Sequence, residues 1–117
     1  MKIILDEGVP RQVAKYLSNH DVKTVASQGW AGIVNGRLLA LIEGAAFEAF
    51  VTADKNIPSQ QSMERRSFAL LLLSCNHWPT IEPHVAKIAE AVDEAKPGTV
   101  QLVECGEFRK RRRPYER

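Results

Sequence analysis

Two cysteines, Cys75 and Cys105, are all that the 117 residues contain, and both lie in or beside apolar runs. A disulfide scaffold is therefore excluded, and the pair reads as reduced, buried thiols. The three histidines, His20, His77 and His84, are scattered with no zinc-site spacing, so they read as surface or capping residues rather than ligands. No glycine-rich phosphate loop and no GxSxG elbow occurs, which removes the common nucleotide-binding and serine-hydrolase classes. No window approaches the roughly 20 apolar residues of a membrane span. Asp6 and Glu7 interrupt the apolar run that a signal peptide would need. A cytoplasmic protein without membrane partners is expected.

What is present is ordinary globular composition, 44% hydrophobic and 26% charged. At this length one domain buries roughly two-thirds of the surface its unfolded chain exposes, without help from metals or disulfides. The net charge of +2 hides a division. Residues 1–106 carry ten Lys and Arg against twelve Asp and Glu, whereas residues 107–117 carry six against two. The expected organisation is a mildly acidic domain over 1–106 and a basic tail over 107–117. Arg109, Lys110, Arg111, Arg112 and Arg113 in that tail are candidates for contact with nucleic acid or an acidic partner; otherwise they are a solvated end.

Periodicity predicts strands over residues 2–5, 21–25, 48–52, 68–74 and 99–104, each a short apolar or alternating run. Helical patterns lie between them. The first opens at Pro10 and places Val13, Tyr16 and Leu17 on one face. The second takes Asn35 as its N-cap and carries Leu38, Leu39, Leu41 and Ile42 toward Gly44. A short third is expected around 59–65, after Pro58. The fourth takes Thr80 as N-cap, carries Ile81, Val85, Ile88, Ala89 and Val92, and stops at Lys96, Pro97 and Gly98. Alternating strand and helix predict an α/β domain with a mostly parallel sheet of about five strands. The expected order is 2-1-3-4, with the fifth strand at an edge.

That order gives LDEGVP, residues 5–10, a meaning. In an open parallel sheet, ligands bind beyond the carboxyl ends of the strands, where the strand order reverses. Asp6 ends the first strand, and Asp54, in VTADKN, follows the third. Two carboxylates meeting there suit a hard cation such as Mg2+, which recruits one or two carboxylates and leaves the remaining positions to water and phosphate. Amide ends of the helices near Pro10 and Pro58 favour a phosphate nearby. The competing reading is that each Asp caps its own turn.

The segments ILDEGVPRQVAKYL, HDVKTVASQGWAGIVNGRLLALIE, FVTADKNIPSQQS, LLLSCNHWP and PGTVQLVECG together resemble a bacterial and archaeal family of small PIN-like proteins. Its members open with a strand ending in LLDEN-P and later show a strand ending in T-D. The resemblance spans nearly all of the chain to about Gly106. It implies a PIN-like α/β fold and kinship with metal-dependent ribonucleases, many of them toxins of toxin–antitoxin pairs. In those enzymes three or four acids hold Mg2+ or Mn2+ and cleave RNA. Asp6 matches the first acid, Glu7 the second member of the DE pair and Asp54 the strand-end acid. Asn35 and Asn56 stand where further acids are common, and Gly8 stands where Asn is usual.

Asn offers a neutral carbonyl oxygen that can ligate, but it neither neutralises a cation nor accepts a proton, and Lys55 adds a positive charge. Two functions follow. One is a Mg2+- or Mn2+-dependent endoribonuclease with metal ligands Asp6 and Asp54 and Glu7 as a supporting acid. The other is a catalytically impaired module that binds RNA or a partner protein. Asn35, Lys55, Asn56, Gln60 and Gln61 are candidate supporting or substrate-binding residues. Trp30, in GWAG, either stacks an unpaired base or packs as a lid over the sheet. RNA, an antitoxin-like protein and a second copy of the chain are the partners this reading admits.

Overall fold

In a computed structural model, which describes residues 1–57 and 62–107, the strands follow the apolar runs closely. β1 (Lys2–Leu5), β3 (Ala49–Thr52) and β4 (Ala69–Leu73) are almost wholly buried. Continuous apolar runs of this length bury both faces of a strand, as the centre of a parallel sheet requires. β2 (Asp21–Thr24) and β5 (Val100–Val103) are largely exposed and take the edges. All neighbouring strands pair in parallel, in the order β2-β1-β3-β4-β5. The expected fold class and strand order are both observed.

Successive residues of β1 point to opposite faces, and each face has its own core. Ile3 and Leu5 pack with Val13, Leu17, Ile88 and Val92. Ile4 packs on the other side with Leu38, Leu39, Ile42, Phe47 and Phe50. α1 (Asn35–Gly44) covers the second face. A 3-10 segment (Arg11–Leu17), α2 (Trp78–Ile81), a further 3-10 turn (Glu82–His84) and α3 (Val85–Asp93) lie on the first.

Helix boundaries differ from the sequence reading in detail. The segment after Pro10 is 3-10 rather than α, and Pro10 is its N-cap rather than its first residue. Val13 and Leu17 are buried there, while Tyr16 stays 45% exposed and leans on Trp78, ring centroids 5.8 Å apart. Val34, not Asn35, caps α1, and Asn35 is its first residue. His77 rather than Thr80 precedes the fourth helical stretch, and its Nδ1 lies 2.9 Å from the Thr80 hydroxyl. Pro83 falls early in the resulting 3-10 turn, where a missing amide costs least. Residues 59–61 of the expected third helix lie outside the described residues, and 62–65 contain a turn at Glu64–Arg65, not a helix. Gly98 sits at φ +77° with the Glu64 carbonyl 2.7 Å from where a Cβ would stand. Only glycine fits that crossing into β5. Both cysteines are free and buried. No helix of the described residues is long and apolar enough to cross a membrane.

Candidate functional site

The chain leaves β1 for β2 on one side and β3 pairs on the other, so the order reverses at the β1/β3 boundary. A cleft of about 320 Å³ opens there, lined by Asp6, Glu7, Gly8, Ile33, Val34, Leu38, Ala53, Asp54, Ile57 and Asn76. The topology thus brings Asp6 and Asp54 to one place.

Their positions are fixed by short local bonds. Asp6 N–H donates to the Val51 carbonyl at 2.9 Å, extending the β1/β3 pairing by one residue. The chain then turns, with Val9 N–H donating to the Asp6 carbonyl at 3.0 Å. Glu7 N–H donates to Asp6 Oδ1 at 2.9 Å. The fully buried Thr52 hydroxyl donates to Asp6 Oδ2 at 2.7 Å and accepts from Asp54 N–H at 3.0 Å. Thr52 is therefore a bridge between the two acidic strand ends. Asp54 Oδ1 accepts from Asn56 N–H at 3.0 Å, the local turn-forming use of an Asp.

Other residues named from sequence separate into distinct roles. Glu7 lines the cleft, but its Oε1 accepts from Gly32 N–H at 2.9 Å. Gly32 has φ +82°, a left-handed conformation that turns its amide toward the carboxylate at little steric cost to glycine. Glu7 thereby ties the GWAG loop to the β1 end. Trp30 of that loop packs against the second core, edge-on to Phe47 at 6.1 Å; this is the lid arrangement. Lys55 is exposed and borders two neighbouring hollows rather than this cleft. Asn35 opens α1 beside the cleft-lining Val34. Gln60, Gln61 and the tail residues Arg109, Lys110, Arg111, Arg112 and Arg113 lie outside the described residues. His20 is neither surface nor cap: its side chain is 9% exposed and its Nε2 stands 2.8 Å from Asp93 Oδ1, joining the start of β2 to the end of α3.

Two residues of the site were passed over in the sequence. Asn76 enters because β4 neighbours β3, so whatever follows β4 borders the same cleft. Thr52 had a signal available: a hydroxyl at the end of a buried run, two residues before an Asp, must find a partner.

A hard cation fits this donor set in one form. Asp6 and Asp54 each keep lone-pair capacity beyond the bonds above, and Asn76 adds an amide side chain to the rim. Glu7 Oε1 accepts from Gly32 N–H, and its Oε2 keeps acceptor capacity on the cleft lining. Among the described residues no group of three or more His, Cys, Asp or Glu is placed to hold a metal. The fit is to one cation that shares its coordination with water and a ligand oxygen; a closed protein cage and a two-metal centre do not fit.

No family model, no curated protein and no solved structure matches this chain at a meaningful level.

Proposed function

We propose that the cleft is a one-cation phosphodiester site acting on RNA, in which Asp6 and Asp54 hold Mg2+ or Mn2+. The observation that carries this reading is the Thr52 bridge: two carboxylates from separate strands, joined through one buried hydroxyl, at the reversal point of a parallel sheet. When bound, the cation would supply charge neutralisation at phosphate and activation of a water. The protein's own part is positional. Thr52 and the Glu7 amide hold Asp6, Asn56 N–H holds Asp54, and the first turn of α1 borders the cleft with an amide end that favours a phosphate. The LDEGVP and VTADKN motifs, which resemble those of the PIN-like family, extend the proposal to an antitoxin-like partner.

A second reading has its own support. The neutral side chains at Asn35 and Asn56 leave fewer acids than hydrolysis commonly employs. Under that reading the cleft or the basic tail binds RNA, or a partner protein, without cleaving it.

The test is RNA cleavage by the full chain with Mg2+ or Mn2+, against an identically purified Asp54→Ala variant. Cleavage that depends on the metal and falls at least 100-fold in the variant supports the nuclease. Cleavage that survives the substitution rejects it. Calorimetry with Mn2+ then separates the alternatives: one bound ion is expected for the nuclease, while no heat together with no cleavage favours the binding module.

A further inference from the structure

The two cysteines are not only buried; the sheet brings them together. β4 and β5 run in parallel with Leu73 opposite Val103, so two residues further along each chain segment Cys75 stands opposite Cys105. Both belong to the first core, on the same face as Leu73 and Val103. Ser74 keeps the segments paired beyond the strand ends. Its N–H donates to the Val103 carbonyl at 3.1 Å. The next bond of a parallel ladder would run from Cys105 N–H to the Ser74 carbonyl. Here it runs to the Ser74 hydroxyl instead, at 3.0 Å, and that hydroxyl donates to the Gly106 carbonyl at 2.8 Å.

The two sulfur atoms have different surroundings. Cys105 is wholly buried, and its thiol lies 3.9 Å from the Cys75 carbonyl oxygen and 3.7 Å from the Ser74 hydroxyl. Cys75 is 7% exposed and lines a hollow of about 290 Å³ beside Lys55 and Asn76. Its sulfur accepts from His77 N–H at 3.3 Å. Neighbouring strands lie about 4.8 Å apart, inside the Cα separation of about 4.4–6.8 Å that a disulfide spans. Joining the two sulfurs therefore needs rotation of side chains, with Cys75 leaving the His77 amide, and no movement of a strand.

We propose that Cys75 and Cys105 form a redox-active dithiol, in which Cys75 meets a hydroperoxide entering the hollow and Cys105 resolves the product. The Cys75 sulfur attacks one peroxide oxygen and the O–O bond breaks. The other oxygen leaves as an alcohol carrying the Cys75 proton, or as water when the oxidant is hydrogen peroxide. Cys75, oxidised by two electrons, is then a sulfenic acid. The Cys105 sulfur attacks the Cys75 sulfur, the S–S bond forms, and the hydroxyl leaves with the Cys105 proton as water. Two thiols and one hydroperoxide thus give one disulfide, one alcohol and one water. Neither cysteine lines the acidic cleft, so this chemistry does not depend on the cation reading.

Hydrogen peroxide added to the reduced full chain tests the proposal. Both thiols should disappear together, leaving a chain lighter by two hydrogens in mass spectrometry and not linked to another chain. The cysteines are 30 positions apart, and only the fold holds them side by side. At one glutathione ratio the folded chain should therefore favour the disulfide at least tenfold over the same chain in urea. Cys105→Ser should stop at the sulfenic acid of Cys75, trapped by dimedone. Cys75→Ser should lose its remaining thiol at least tenfold more slowly than the parent, because Cys105 has no opening to solvent. The comparison in urea uses the parent chain alone and stands even where a variant folds poorly. Thiols that persist in peroxide, disulfides between chains in place of the internal one, or a folded chain that favours the disulfide no more than the unfolded one each overturn the proposal. So does oxidation of Cys105 in Cys75→Ser at the parent's rate.

Discussion

Thr52 shows how much of a site can rest on one hydroxyl. It is fully buried, and it both donates to Asp6 and accepts from the Asp54 amide. Replacing it with Val keeps the volume but strands two polar groups, one of them charged. We expect Thr52→Val to cost about 1–3 kcal/mol, read as a lower urea midpoint, and to weaken Mn2+ binding as well. Thr52→Ser should restore most of both, because it keeps the hydroxyl. A Val variant as stable as the parent would mean that the bridge carries no energy. Glu7 makes a related point. Its place beside Asp6 was visible in the sequence, but its partner, Gly32, lies 25 positions away and only the folded loop supplies it.

At the scale of elements, α1 is the clearest case of a sequence signal displaced by packing. Gly44 looks like the helix terminator, yet the residue in the left-handed conformation is Ala46, at φ 61°. Phe47 N–H donates to the Ile42 carbonyl at 3.2 Å and Ala46 N–H to that of Glu43 at 3.0 Å, the paired bonds of a Schellman end. Phe47 closes the motif because it is needed in the core beside Ile42, and that places Ala46 where glycine would be preferred. Ala46→Gly should therefore raise stability by about 1 kcal/mol, measured by denaturant melts; a loss would mean that chain entropy outweighs the relieved strain. The same helix end clamps the approach to β4. Glu43 accepts from Ser67 N–H at 2.7 Å and from Arg66 at 3.3 Å. Chiefly the Ser67 amide bond, with Arg66 adding to it against some desolvation, holds the Glu43 carboxyl below its ordinary value. A carboxyl depressed in the folded state stabilises above its unfolded pKa, about 4.3. That stabilisation is lost as pH falls through the folded value. The stability gap between the parent and Glu43→Gln should be full at neutral pH and close as pH drops below about 4. A gap that persists at low pH would assign the effect to shape rather than charge.

For the whole molecule, the division of charge between a mildly acidic domain and residues 107–117 makes a separate prediction about RNA. If the five basic residues 109–113 each neutralise a single-strand phosphate, the logarithm of affinity should fall with the logarithm of salt at a slope of about −3.5, from roughly −0.7 per contact. A chain ending at Gly106 should lose most of that slope. An unchanged slope would place the RNA contacts on the domain itself. Strand positions, the parallel sheet and its order were legible in the sequence, because runs such as KIIL and ALLLL encode burial on both faces and alternation with helices leaves few topologies. The acids at the ends of β1 and β3 were legible too, since they break those runs where the sheet must end. What the sequence left undecided depends on contacts between distant segments. The choice of a 3-10 over an α-helix after Pro10 and the burial of His20 against Asp93 are set by packing between elements. So are the engagement of Glu7 by Gly32, the bridge at Thr52 and the arrival of Asn76 in the cleft. Local composition determined which residues are buried and where strands end. Tertiary structure alone decided which polar groups meet, because hydrogen bonds need ångström placement that a pattern of apolar residues does not specify.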